Sequence, residues 1–188
     1  MSDGAFNAEI NTGSGNDTVR LTGTFDSASF HLDGTLESNL IGGDLITASS
    51  GTQFYNTSFT SSNVNGDTLL VGTGAGFLGS EIFFGSGDDS ISFGSRSNIL
   101  DATFSLGEGE DTLVFGSGSI LDNVLIDLGD DSSIDLVRFS DTVSLGGVTI
   151  SGADTGDILY IGADQYFYGG SDTIQLGLQG WMTSWSRA

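Results

Sequence analysis

The chain repeats one short pattern of polar and apolar positions, in which an aspartate is followed by alternating variable and apolar residues. The repeats begin at Asp17, Asp44, Asp67, Asp89, Asp111, Asp135 and Asp157. Successive starting aspartates lie 27, 23, 22, 22, 24 and 22 residues apart. A regular period of this size is typical of proteins in which each repeat forms one structural unit. The longer first interval predicts an insertion around Gly34–Asn39.

The alternation inside each repeat predicts an extended strand with one apolar face. Apolar positions two and four residues after the aspartate, such as Ile91 and Phe93, lie on the same side of such a strand. A glycine follows at once in four repeats, where we expect it to supply the positive φ of a sharp corner. These glycines are Gly72, Gly94, Gly116 and Gly162. Each coil is therefore predicted as strand, corner, short strand, corner, strand and Gly-rich loop.

Short strands at a regular period are compatible with hairpins or with a solenoid. Asn-Gly or Asp-Gly dipeptides that divide two equal strand-like halves, as a hairpin turn would, occur only at Asp33-Gly34 and Asn65-Gly66. Like residues instead recur one repeat apart, as Phe93 and Phe115 do, which favours coils stacked at the ~4.8 Å spacing of neighbouring strands. The chain also has no proline, a residue that interior strands exclude. We therefore predict an all-β, single-domain parallel β-solenoid of about seven coils with about 22 residues each.

The two ends depart from the repeat. Residues 5–13 resemble the last strand of an incomplete coil, which predicts a closure of the N-terminal end. A partial match, Asp172-Thr-Ile-Gln-Leu, follows the seventh aspartate after 15 residues and predicts a closing half-coil. Residues 1–176 are therefore assigned to the solenoid. Residues 177–188 break the period and contain Trp181 and Trp185, so we predict a C-terminal cap or a partner-docking tail.

Composition narrows the range of partners. The 188 residues include 4 Lys+Arg, all of them arginine, and 25 Asp+Glu, for a formal net charge of −21. This charge repels nucleic acid phosphates and anionic membrane surfaces, so we expect neither as a partner. No stretch approaches the ~18 consecutive apolar residues of a membrane span, so membrane insertion is not expected. Apolar residues make up 37% of the chain and recur regularly, which argues against disorder.

Three Gly-rich loops precede the repeated aspartates with similar spacing. They are Gly13-Ser-Gly15-Asn-Asp17, Gly85-Ser-Gly87-Asp-Asp89 and Gly107-Glu-Gly109-Glu-Asp111. These loops resemble the nonapeptide Gly-Gly-x-Gly-x-Asp-x-apolar-x of the RTX, or hemolysin-type calcium-binding, repeat family. Each lacks the first glycine of that pattern. The family alternates its loops on both sides of a coil of about 18 residues, whereas one side alone carries them here.

The resemblance implies Ca²⁺ binding by stacked loops, through aspartate carboxylates and loop carbonyls. The carboxylates implicated are Asp17, Asp67, Asp88, Asp89, Glu110 and Asp111. Hard cations take several oxygen ligands, and carboxylates stacked one coil apart repel each other without a counter-ion. The alternative is that each repeated aspartate caps its own turn by accepting backbone N–H bonds. Both interpretations stay open from the residues alone.

Few residues are suited to enzymatic chemistry. The chain has no lysine and no cysteine, and its single histidine is His31, which nearly excludes nucleophile–base pairs. The acids recur with the repeat, so no irregular carboxylate pair points to glycoside hydrolysis. Outward Thr and Ser residues do not form the regular array that would favour ice binding. We therefore expect a protein that is not an enzyme.

Three classes of function follow from these observations. The first is a structural component of an extracellular assembly, foremost a phage virion surface, decoration or tail-associated protein. Its partners would be other structural proteins or further copies of the chain, and Ca²⁺ would stabilise it. The second is a secreted or cell-surface RTX-like calcium-binding protein. The third is a β-helix that binds or cleaves polysaccharide. The Trp-Ser-Arg-Ala ending differs from the apolar ending of RTX export signals, which favours the first class.

Overall fold

The computed structural model describes residues 7–13, 15–32, 43–61 and 64–168, together with the backbone of 173–176. All helical or extended elements in these ranges are β-strands. The insertion predicted around Gly34–Asn39 lies outside the described residues, and so does the predicted tail, 177–188.

The strands recur in groups of three and form three sheets. The first sheet contains β2 (Thr18–Leu21), β5 (Leu45–Ala48), β8 (Thr68–Val71), β11 (Ser90–Phe93), β14 (Thr112–Phe115), β17 (Leu136–Phe139) and β20 (Ile158–Ile161). The second sheet contains β3 (Thr24–Asp26), β6 (Gln53–Tyr55), β9 (Gly76–Leu78), β12 (Asn98–Leu100), β15 (Ile120–Asp122), β18 (Ser144–Gly146) and β21 (Tyr166–Phe167). The third sheet contains β1 (Glu9–Asn11), β4 (Ser29–His31), β7 (Ser58–Thr60), β10 (Glu81–Phe83), β13 (Thr103–Ser105), β16 (Leu125–Asp127), β19 (Thr149–Ala153) and β22 (Thr173–Leu176).

Each strand pairs in parallel with the equivalent strand of the next coil, which confirms the predicted parallel β-solenoid. The seven strands of the first sheet are connected by about six turns of roughly 23 residues, close to the predicted period. Strand β1 pairs with β4, as expected for the end of an incomplete coil. Strand β22 pairs with β19 in the third sheet, although Asp172-Thr-Ile-Gln-Leu resembles sequences of the first sheet.

Like residues stack on one another to build the core. Phe93 and Phe115 are register partners whose ring centroids lie 5.6 Å apart. Phe115 stacks in turn on Phe139 at 5.4 Å. All three rings are buried, and such aromatic pairs contribute about 0.5–1.5 kcal/mol each beyond the burial of their area. The predicted stacking of like residues one coil apart is confirmed.

The glycines that directly follow first-sheet strands do not have a positive φ, so that prediction is wrong. The left-handed residues lie two positions further along the chain, at Gly74, Arg96 and Gly118 among others. A Cβ added to Gly116 would instead lie 2.6 Å from the carbonyl carbon of Gly94 in the preceding coil. Glycine is required there because the backbones of stacked coils approach closely, a constraint that local conformation does not reveal.

The substitution Gly116→Ala should therefore destabilise the solenoid by about 1–3 kcal/mol, because its new methyl group meets the backbone of the preceding coil. Gly74→Asn is the matched control, since an added Cβ at Gly74 meets nothing within 4 Å and asparagine tolerates a left-handed conformation. Urea unfolding of both variants would measure the difference. Equal losses of stability in the two would contradict the close-approach explanation.

Candidate functional site

The seven repeated aspartates form a continuous hydrogen-bonded column, which we call the aspartate ladder. At each step the backbone N–H of one repeated aspartate donates to Oδ1 of the repeated aspartate one coil later. The N···Oδ1 distances are 2.8 Å from Asp17 to Asp44, 2.6 Å from Asp44 to Asp67, 2.6 Å from Asp67 to Asp89, 2.7 Å from Asp89 to Asp111, 2.8 Å from Asp111 to Asp135 and 2.9 Å from Asp135 to Asp157.

The alternation of the strand explains why these carboxylates point inward. Each ladder aspartate comes one residue before a first-sheet strand and shares a face with the apolar residues two and four positions later. Asp67, Asp89 and Asp111 are accordingly 0%, 3% and 1% exposed. The ladder is thus a polar column inside the solenoid, beside the apolar core.

The ladder corrects the idea that each aspartate caps its own turn. In six steps, Oδ1 accepts from the coil before, so the carboxylate joins two coils. Asp157 does both: its Oδ1 accepts from Asp135, and its Oδ2 accepts from the N–H of Asp154 at 2.7 Å in its own turn. The repeated aspartate is thus a capping group, but the N–H that it caps lies in the neighbouring coil.

The other carboxylate oxygen has fewer partners in the middle of the ladder. Within the described residues, Oδ2 of Asp89 and Oδ2 of Asp111 are buried and accept no hydrogen bond. Burial, reinforced by neighbouring carboxylates, raises the pKa of Asp89 to about 8, although the N–H of Asp67 opposes the shift. The same causes raise the pKa of Asp111 to about 7. A proton or a cation at Oδ2 would remove the cost of burying a negative charge there.

The six carboxylates predicted to bind Ca²⁺ fall into two sets. Four of them belong to the ladder: Asp17, Asp67, Asp89 and Asp111. The other two, Asp88 and Glu110, lie in the exposed Gly-rich loops, where Oδ1 of Asp88 accepts from the N–H of Glu110 at 3.0 Å. Neighbouring residues of one loop, such as Asp88 and Asp89, therefore differ in exposure and in partners.

In the described part of the chain, no three His, Cys, Asp or Glu side chains are grouped so as to hold a metal ion. Because Ca²⁺ takes about six to eight oxygen ligands, loop carbonyls and water would have to complete its coordination. The oxygen donors at Asp89 and Asp111 suit a hard cation, but they do not form a cage of carboxylates. Trp181 and Trp185, predicted to dock a partner, lie outside the described residues.

One further carboxylate that joins two coils, Asp131, was not predicted from the sequence. Oδ2 of Asp131 accepts from the N–H of Gly109 at 2.7 Å, and its Oδ1 accepts from the N–H of Ser133 at 2.6 Å. Partial burial raises the pKa of Asp131, but these hydrogen bonds bring it below its ordinary value. The sequence offers one indication of this second link between coils. Gly129-Asp130-Asp131 is a shorter relative of the Gly-rich loop motif.

A shallow groove of about 260 Å³ lies at the corner between the second and third sheets. Asp101 and Asn123 line it, and Nδ2 of Asn123 donates to Oδ1 of Asp101 at 2.7 Å. Asp101 is the one carboxylate in its lining. The groove therefore does not present the pair of carboxylates that glycoside hydrolysis requires.

Comparisons of the chain with protein-family models, curated proteins and solved structures found no match. Among the residues that the structure describes, no helix is long and apolar enough to cross a bilayer. The resemblance to RTX loops therefore stays a prediction that rests on the quoted loops.

The raised pKa values predict that the protein is most stable in mild acid and loses stability as the pH rises from about 4 to about 8. In this window the folded state keeps a proton on the ladder that the unfolded chain, with an aspartate pKa of 3.8, has released. Raising the pH therefore favours unfolding, by up to about 1.4 kcal/mol per pH unit for each such group. Urea unfolding at a series of pH values, with a chelator present, would measure this slope.

The double variant Asp89→Asn, Asp111→Asn is the control. Asparagine keeps an Oδ1 acceptor for the ladder N–H but does not titrate. The unfolding free energy of this double variant should change less with pH than that of the native protein. The difference between the two slopes separates the contribution of the ladder from that of repulsion among the surface acids. Identical slopes, or a stability that rises with pH between 5 and 8, would contradict the assignment of the shifts to the ladder.

Proposed function

We propose that this chain is a non-enzymatic structural protein of an extracellular assembly, with a phage virion surface, decoration or tail-associated role as its specific setting. The aspartate ladder is the observation that supports this proposal most strongly. The most regularly repeated chemical group of the chain is used to stack coil upon coil. Such use suits a protein whose work is to maintain an extended, regular shape.

The outward faces of the sheets support the same role. Thr68, Ser90 and Thr112 follow one another across the first sheet as register partners, so three successive coils carry a similar small side chain at this outward position. Solenoids use such long faces to bind along their length. A formal net charge of −21 opposes contact between copies of this chain, so the preferred partners are structural proteins with complementary positive surfaces.

Calcium belongs to this proposal as a stabilising ion. The hydrogen bonds of the ladder use Oδ1 of each aspartate. Oδ2 of Asp89 and Oδ2 of Asp111 are therefore the oxygen ligands that a Ca²⁺ ion beside the Gly-rich loops would use. A cation there would favour the ionised carboxylates and thereby reverse the effect of burial on their pKa. Proton and Ca²⁺ should therefore compete for the same buried oxygens.

The same oxygens favour a second candidate, a secreted or cell-surface RTX-like calcium-binding protein. This alternative shares the solenoid and the ion but differs in its setting. It predicts a free protein whose folding depends on extracellular Ca²⁺, since binding to the folded state alone stabilises that state.

Mass spectrometry of purified virus particles, combined with inspection of the neighbouring genes, tests the proposed setting. We expect the chain in particles at a fixed ratio to the major structural proteins, and its gene among genes for virion components. Recovery of the chain only as free protein in the culture medium would contradict the virion role and favour the second candidate.

Thermal unfolding with and without Ca²⁺ tests the ion separately. At pH 8.5, 5 mM Ca²⁺ should raise the unfolding midpoint relative to chelator, and the increase should shrink at pH 5 because protons then occupy the ladder. The variant Asp89→Asn, Asp111→Asn should lose the increase, whereas Asp88→Asn, Glu110→Gln should retain most of it. No increase in the native protein at either pH would exclude Ca²⁺ as a stabilising ion.

A further inference from the structure

One dipeptide typical of hairpin turns forms no hairpin in the structure. Asn65-Gly66 lies in the loop before β8, and β8 pairs in parallel with β5 and β11. It is the single Asn-Gly dipeptide of the chain. The equivalent dipeptides of the next two coils, each directly before a ladder aspartate, are Gly87-Asp88 and Gly109-Glu110. Asn65-Gly66 thus belongs neither to a hairpin nor to the conserved spacing of the ladder itself.

The peptide bond between Asn65 and Gly66 is open to solvent. Gly66 is exposed and Asn65 is half-buried. Within the described part of the chain, no hydrogen bond uses the N–H of Gly66. The adjacent coils present glycines here: a Cβ added to Gly87 would lie 2.9 Å from the nitrogen of Gly66, and one added to Gly43 would meet its carbonyl oxygen. Neither glycine has a side chain that could cover this peptide.

Two other asparagines precede N–H groups that are in use. The N–H of Asp17, which follows Asn16, donates to a ladder carboxylate at 2.8 Å. The N–H of Thr57, which follows Asn56, donates to Oγ of Ser80 at 3.1 Å. A nitrogen held in this way cannot turn toward the asparagine side chain before it. The side chains of aspartate and threonine also hinder such an approach, whereas glycine has none.

We propose that Asn65 is a site of spontaneous covalent modification, in which the backbone nitrogen of Gly66 attacks the side-chain amide of Asn65. A bond forms between this nitrogen and Cγ of Asn65 as the nitrogen releases its proton to solvent. The bond between Cγ and Nδ2 breaks, and Nδ2 takes up a proton and leaves as ammonia. The product is a five-membered succinimide ring that joins the two residues.

Water then opens the ring at one of its two carbonyl groups. Attack at Cγ gives aspartate on a normal backbone. Attack at the main-chain carbonyl carbon of residue 65 gives isoaspartate, in which the chain continues through the former side chain and the α-carboxylate is free. Either product adds one negative charge to the formal net charge of −21. Because water is the only co-reactant, the change would proceed gradually after synthesis, whatever assembly the chain belongs to.

The position of the site in the coil determines what the modification does. Isoaspartate lengthens the main chain by one carbon atom shortly before Asp67, whose N–H donates to Oδ1 of Asp89 at 2.6 Å. The next coil leaves little room for a displaced backbone, since a Cβ added to Gly87 would lie 2.5 Å from the carbonyl carbon of Asn65. We therefore expect isoaspartate to disturb the ladder at this step and to destabilise the solenoid.

Peptide mapping by mass spectrometry tests the reaction in the native protein. Incubation at pH 8.5 and 37 °C favours it, because the nitrogen of Gly66 loses its proton more easily as the pH rises. We expect aspartate and isoaspartate to accumulate at Asn65 at least about tenfold faster than at Asn16 or Asn56, a difference of ~1.4 kcal/mol in activation free energy. The variant Asn65→Gln is the control: its amide would have to close a larger ring, so the mass change at this site should disappear.

A parallel sample in urea shows whether the fold permits the reaction. The rate at Asn65 in the folded protein should lie within about tenfold of the rate in urea, because exposed loops open locally at little cost in free energy. A folded protein that protects Asn65 by more than this factor would overturn the proposal. Equal rates at Asn65, Asn16 and Asn56 in the folded protein would also overturn it, because the exposed nitrogen of Gly66 would then give no advantage.

Urea unfolding of the modified protein tests the consequence for the ladder. Chromatography separates the isoaspartate form, and the variant Asn65→Asp is its matched control because it carries the same added charge on a normal backbone. The isoaspartate form should unfold at a lower urea concentration than Asn65→Asp. Equal midpoints would contradict the expected disturbance of the ladder at Asp67.

Discussion

The stacking of equivalent residues at the spacing of parallel strands is the constraint on which this structure depends. Each position of a coil lies directly against the same position of its neighbours, so a residue suits the fold only if it can pack against residues like itself. Phe93, Phe115 and Phe139 satisfy this constraint by ring stacking. Gly116 satisfies it by leaving room for the adjacent backbone. Aspartate satisfies it differently, since its carboxylate accepts the N–H of the equivalent aspartate one coil away.

The ladder carries an electrostatic cost that the apolar columns avoid. Charged carboxylates one coil apart repel each other, and burial removes the water that would screen them. The hydrogen bond from the neighbouring N–H offsets part of this cost, but burial outweighs it and raises the pKa of Asp89 and of Asp111. A proton and a cation are two ways to neutralise the same oxygens. Structural stability, pH dependence and any response to Ca²⁺ are therefore linked through one column of side chains.

Because a solenoid repeats the same contacts in every coil, the features specific to this molecule lie where residues differ from coil to coil. The outer face of the first sheet carries similar side chains at some register positions, as at Ser90 and Thr112, and different ones at others, as at Leu136 and Ile158. In the last coil that the structure describes, Ile161 and Phe167 are exposed, whereas their register partners Phe139 and Leu145 are buried.

The fold class could be predicted from the order of residues alone, because a parallel solenoid requires like residues at a regular interval and this regularity is visible before folding. Phe93 and Phe115 were paired correctly for that reason. The contacts of the repeated aspartates became visible only in the folded chain. The spacing shows that a carboxylate recurs, but not whether its hydrogen-bond donor lies in its own turn or in the preceding coil. The need for glycine at position 116 also became visible only in the folded chain, because it arises from the close backbone of Gly94 in the preceding coil. The repeated aspartates and Gly116 each contact a residue about 22 positions away in the sequence. Such contacts between coils exist only once the chain has folded.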